Sequence, residues 1–125
     1  MPPTKEKRDF SFPNNARIKR RGEFERIQSR GKKLHTPHFI LIFEKARAEP
    51  PRLGITVTTK VEPRSVGRNR IKRRIREIFR LNKHRLQQTI DLVVIAKQGA
   101  SPCTYKEIEQ ELLSALRHHG LLSKT

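Results

Sequence analysis

The sequence predicts an α+β fold, a two-layer sandwich of three helices on a small mixed sheet, and three observations carry that prediction. Between Arg64 and Arg80, Ile71, Ile75, Ile78 and Phe79 recur at i, i+4, i+7 and i+8, the spacing of a helix with one core-facing side. Ahead of it, Arg52 to Thr58 alternates Leu53, Ile55 and Val57 with Gly54, Thr56 and Thr58, the period of a half-buried strand. Behind it, Asp91 to Ala96 (DLVVIA) is a continuous apolar run, the pattern of a strand covered on both faces and often paired in parallel. Strand, helix, strand in that order makes a βαβ unit.

The remaining elements follow along the chain. Residues 1–16 hold prolines and mixed charges without periodicity and read as a disordered basic tail, leaving 17–122 as a single α+β domain. A short helix is expected from Arg21 to Ser29, with Ile18 ahead of it, Phe24 and Ile27 on one side, and Gly31 as its stop. Lys32 to Leu34 offers a weak extra strand, His38 to Glu44 (HFILIFE) a clear one, and the prolines around Pro50 a loop. After a linker with Pro63 the basic helix is expected over 67–88, with Leu86 closing its stripe. Gly99 and Pro102 mark a loop, and Thr104 with Glu107 forms a capping box for a last helix. Its Ile108, Leu112, Leu113 and Leu116 face inward, and it ends near Gly120.

The basic helix carries Arg64, Arg68, Arg70, Lys72, Arg73, Arg74, Arg76 and Arg80 against one acid, Glu77. At about 100° per residue, Asn69, Arg73, Arg76 and Arg80 oppose the apolar stripe, while Arg68, Lys72 and Arg76 form a ridge beside it. Two basic surfaces result. A merely solvated helix mixes charge signs at i, i+4, because like charges there are destabilising. Coiled-coil seams and calmodulin-type targets remain alternatives, but the arginine excess fits bidentate phosphate recognition. The whole chain agrees: 29 Lys plus Arg stand against 12 Asp plus Glu, a net charge of +17 over 125 residues. Nucleic acid is the default partner of such a surface.

The same inventory excludes several classes. The lone Cys103 allows no internal disulfide and no multi-cysteine zinc site, and it suits a reducing cytoplasm. The longest apolar run is far too short to span a bilayer, so no membrane role is expected. Glu23, Glu25, Glu44, Glu62, Glu77 and Asp91 are scattered beside basic residues, which points to salt pairing and not to acid–base chemistry. His35 and His38 near a strand start, and His118 with His119 near a helix end, show no metal-ligand spacing. No catalytic set, metal site or small-molecule site is therefore expected in this chain. If it belongs to an enzyme, the reactive centre lies elsewhere.

The run from Gly67 to Glu77, GRNRIKRRIRE, resembles the arginine-asparagine-arginine signature of the protein subunit of bacterial ribonuclease P. The resemblance extends from about Ala16 to Leu122 and includes Phe24, Gly31, HFILIF, LGITVTTKV, DLVVIAKQGA and TYKEIEQEL. It implies a ribosomal S5 domain 2-like sandwich with a left-handed βαβ crossover, against the usual right-handed preference. It also implies an accessory subunit of a cytoplasmic endoribonuclease, whose catalytic RNA removes the 5′ leader of precursor tRNA with magnesium ions that the RNA holds. The protein itself would bind no cofactor. Residues matching the family's leader cleft are Phe24, Phe39, Arg68, Asn69 and Lys72; core packing is the competing role for Phe24 and Phe39. Arg70, Arg73, Arg74, Arg76 and Arg80 match positions turned toward the catalytic RNA, and Arg17, Lys19, Arg20 and Arg21 extend that footprint or only solubilise. Gln28 and Ile42 stand where the family often has aromatics, so stacking in the cleft should be weaker. A general RNA-binding or ribosomal protein of similar fold, with no tRNA-processing role, is the alternative.

Overall fold

The computed structural model describes residues 16–46 and 49–123. Its elements run α1 (Arg21–Arg30), β1 (Lys32–His35), β2 (Phe39–Lys45), β3 (Arg52–Thr56), α2 (Ser65–Asn82), a 3₁₀ turn (Lys83–Arg85), β4 (Ile90–Ala96) and α3 (Tyr105–His118). The four strands form one sheet in the order β1-β2-β4-β3. β4 pairs antiparallel with β2 and parallel with β3, so β3, α2 and β4 make the expected βαβ unit. The tail expected over 1–16 lies outside the described residues except for Ala16, which is fully buried and therefore belongs to the domain.

Period-2 alternation sorts the sheet into two faces. Leu34, Phe39, Leu41, Leu53, Leu92 and Val94 face the main core, where α2 contributes Ile71, Ile75, Ile78 and Phe79 and α3 contributes Ile108, Leu112, Leu113 and Leu116. On the opposite face a smaller cluster joins Ile18 and Ile27 to Ile42 and Val93, with Phe24, Ile40 and Ile95 half-buried around it. Two helices thus cover one face and only α1 the other. That asymmetry leaves part of the second face open.

α2 ends at Asn82, six residues before the expected limit. Leu86 still reaches the core, but from the end of the 3₁₀ turn, where it bridges Leu122 of the returning C-terminal segment. A helical stripe and a turn with the right reach put an apolar group in the same place, so spacing could not separate them. The capping box formed as expected, with the Thr104 hydroxyl accepting from the Glu107 N–H at 3.2 Å and the Glu107 carboxylate accepting from the Thr104 N–H at 2.8 Å.

The acids do pair with bases, and they tie elements together. Asp91, 3% exposed within β4, accepts two hydrogen bonds from the Arg52 guanidinium at 3.0 and 2.8 Å. Arg52 also donates to Glu23 of α1 at 2.9 Å, and Arg26 of α1 donates to Glu44 of β2 at 3.1 Å. This network holds α1 to the sheet, and the Asp91 carboxylate beside it pushes the Arg52 pKa up. Removing one member of a buried pair strands its partner. Asp91→Ala is expected to cost about 3 kcal/mol of folding stability, measured by urea denaturation; a loss under about 0.5 kcal/mol, as for a surface change, would show that α1 docks without it.

Glu62 plays the corresponding part for α2. Its carboxylate folds back to accept from the Arg64 N–H at 3.0 Å and from the Ser101 hydroxyl, placing a negative charge at the helix N-terminus. Gly67 makes room for it, since a Cβ there would lie 2.5 Å from the Glu62 Cδ. The Ser101 hydrogen bond, with that of the Arg64 backbone, holds the Glu62 carboxyl down at about 2. Because the folded value lies below the ordinary one of about 4.5, the contribution is complete above that pH and disappears as pH falls to about 2. Glu62→Gln should therefore flatten the acid limb of the stability–pH curve across this window, followed by circular dichroism. An unchanged acid limb would count against the role.

Candidate nucleic-acid interface

The open part of the α1 face continues into a groove between α1, the edge strand β3 and α2. Residues 17–18 run along the outer edge of β3, with the Ile18 N–H donating to the Leu53 carbonyl at 3.0 Å. This brings Arg17 and Lys19 to one rim, while Lys72 and Arg76, one turn apart on α2, form the other. The floor is Gly54 with the half-buried Phe24 ring. Gly54 allows that contact, because a Cβ there would stand 2.7 Å from the Phe24 Cζ. Beyond Phe24 the surface is continued by Thr56 and Gln28.

On the α2 rim of this groove positive charge stands without a carboxylate beside it. Lys72 and Arg76 have no carboxylate partner among the described residues, and the same holds for Arg70 and Arg73. Burial, then the positive charges of Arg17 and Arg73, lowers the Arg76 pKa. Arginine remains protonated regardless, and Arg17 and Arg73 are like-charged neighbours whose repulsion a phosphate would relieve.

The predicted cleft residues divide. Phe24 and Lys72 do meet in the groove. Phe39 does not: it is 0% exposed in the main core, on the face under α2 and α3, and presents no ring to a ligand. Arg68 and Asn69 stand at the N-terminal end of α2 outside the groove lining, where Arg68 donates to the carbonyls of Glu62 (3.0 Å) and Pro63 (2.7 Å). Ile42 is packed beneath α1 and offers no surface to the cleft.

The predicted outward set divides as well. Arg70 and Arg73 are exposed on α2. Arg74 donates to the Cys103 carbonyl at 2.8 Å and so anchors the loop before α3. Arg80 is paired with Glu77 at 2.5 Å, which neutralises much of its charge locally. Arg76 shares the groove with Lys72 and not the outward surface with Arg73. The ridge Arg68, Lys72, Arg76 already held that signal, and so did Gly54, a glycine inside an alternating strand being a sign of close approach.

The family profile "Ribonuclease P" matches residues 12–120. The chain belongs to the ribonuclease P protein family. It is 42% identical over 110 residues to the ribonuclease P protein component of Desulfatibacillum aliphaticivorans, covering 88% of each chain. It is 41% identical to that of Syntrophus aciditrophicus, covering 82% of this chain and 86% of the relative. Among solved structures, the Staphylococcus aureus RNase P protein superimposes with a TM-score of 0.79 at 32% identity, over 86% of this chain and 98% of that one. The Thermotoga maritima protein gives 0.74 at 33% identity, over 82% and 96%. These likenesses bear out the α+β fold and the family resemblance of the signature helix. No helix among the described residues is long and apolar enough to cross a membrane.

An aromatic face beside converging cations suits a single-stranded polyanion, whose bases stack while its phosphates are neutralised. Each phosphate contact to a single strand contributes about 0.7 to the slope of log affinity against log salt. Lys72→Ala with Arg76→Ala should thus weaken binding of a single-stranded RNA and make that slope shallower by about 1.4. Nitrocellulose filter binding across a salt series measures both, and an unchanged slope would move the contact away from the groove.

Proposed function

We propose that this chain is the protein component of ribonuclease P, binding the catalytic RNA and the 5′ leader of precursor tRNA and promoting the endonucleolytic cut that generates the mature tRNA 5′ end. The observation that carries this reading is the family match over residues 12–120. Phosphodiester hydrolysis then belongs to the RNA subunit and its magnesium ions, and this chain acts by affinity and position. The compartment is the cytoplasm.

Two surfaces share the work. The groove takes the leader: Phe24 stacks on a base, and Lys72 and Arg76 follow the phosphates with Arg17 and Lys19 opposite. Exposed Arg70 and Arg73, with the remaining N–H groups of Arg74, meet the catalytic RNA. A contact made only to the leader discriminates precursor from product, because mature tRNA no longer carries the segment that the groove binds. Product then leaves while substrate is retained.

The deciding experiment is cleavage of labelled precursor tRNA at low magnesium by a bacterial catalytic RNA, with and without this chain; a rate gain that needs the chain is expected. Base stacking on an aromatic contributes about 1–3 kcal/mol, so Phe24→Ala should weaken holoenzyme binding of precursor tRNA about 5- to 150-fold and leave mature tRNA unaffected. Equal losses for both would place Phe24 in assembly or folding instead.

A further inference from the structure

We propose that His38, Cys103 and Glu111 form a zinc site where the β1–β2 turn, the β4–α3 loop and α3 meet. One ligand atom from each of the three lies within 4.8 Å of the other two. The residues come from separate parts of the chain, and each is positioned through its backbone. The His38 N–H donates to Glu111 Oε1 at 2.8 Å, and its ring Nδ1 lies 2.8 Å from Glu111 Oε2. The His38 carbonyl accepts from the Lys97 N–H at 2.8 Å, which ties the turn to the end of β4. Cys103 donates its N–H to Ala100 at 3.1 Å and accepts from Arg74 through its carbonyl. Gly99, at φ +94°, lets the loop press on the imidazole edge, since a Cβ there would lie 3.2 Å from His38 Cδ2.

The donor set selects the metal. Sulfur, imidazole nitrogen and one carboxylate oxygen suit zinc, whereas magnesium demands an octahedron of oxygens. With bonds of about 2.0–2.3 Å, tetrahedral ligand atoms stand roughly 3.3–3.8 Å apart, so the widest pair closes by about 1 Å on binding. Glu111 can keep Oε1 on the His38 N–H while Oε2 turns to the metal. Binding moves the His38 ring proton from Nδ1, where it faces Glu111 Oε2, to Nε2, freeing Nδ1 for the metal, and releases the Cys103 thiol proton to solvent; thiolate plus carboxylate then balance the two positive charges. Among the described residues the buried Sγ meets only the Gly99 carbonyl as a hydrogen-bond partner, at 3.6 Å. His38 and Glu111 line a groove between the β1–β2 turn and α3, with Cys103 behind them, and access and a fourth, water ligand would come from that groove. This lies at the β1–β2 end of the sheet, away from the β3 edge where the RNA groove lies.

The test uses the full chain, freed of metal with a chelator and then titrated with Zn²⁺ by calorimetry and with Co²⁺ by absorption. One equivalent of each is expected, with a Co²⁺–thiolate charge-transfer band. Cys103→Ser should abolish the band, and both it and Glu111→Gln should weaken zinc binding by about tenfold or more. His118→Ala with His119→Ala should leave band and affinity intact. No thiolate band on the unsubstituted chain, zinc binding by Cys103→Ser as tight as the parent's, or a loss that follows His118 and His119 would each overturn the site. The band on the unsubstituted chain decides the matter even where a variant folds poorly.

Discussion

α2 has to bury one stripe while carrying positive charge that its one acid, Glu77, offsets only at Arg80, and the rest of the molecule follows from how that conflict is resolved. Ile71, Ile75 and Ile78 are 2%, 1% and 2% exposed, each burial contributing about 1.5–3 kcal/mol as an upper estimate. Like charges at i, i+4 cost a few tenths of a kcal/mol each. Burial wins by a wide margin, so the helix folds without needing its cations neutralised. Most of the positive field survives folding, available to an external polyanion.

The acids are placed so as not to cancel that field. Glu23, Glu44 and Asp91 lie in the α1–sheet network with Arg26 and Arg52, and Glu62 sits under the start of α2. Both sets act in folding: one docks the helix that walls the groove, the other caps the helix that supplies its cations. Only Glu77 answers an arginine of the signature helix from within it, and it takes Arg80, the last of the series. Apart from Arg68 and Arg74, which donate to backbone carbonyls, the cations spent on folding contacts and the α2 cations left without a carboxylate partner are thereby different residues.

Much of this was legible in the chain because it is local. The α2 stripe, the Thr104 and Glu107 capping box and the doubly buried β4 each depend on neighbours within a few residues, and each formed. Phe39 shows where local pattern stops. Alternation says that Phe39, Leu41 and Phe43 share one face of β2 and Ile40 and Ile42 the other, but not which face two helices will cover. That choice is made by α2 and α3, far along the sequence. The same limit hid the meeting of His38 with Glu111, and it let Leu86 pass for a continuation of α2 when it reaches the core from a 3₁₀ turn.

Segregation of charge also orients the molecule on its partner. α3 carries Glu107, Glu109 and Glu111, whereas the cations of α2 and residues 17–19 gather at the β3 edge. Lys106 and Arg117 offset part of that acidity, so a polyanion is attracted more strongly to the groove than to the α3 side, which favours a single pose. A divalent cation held by His38, Cys103 and Glu111 would offset part of the α3 acidity at the far end without touching the groove. Zinc and RNA would then be coupled only through the long-range field, a weak coupling that salt screens within about 10 Å at 0.1 M ionic strength. The two sites can therefore act independently on one small sheet.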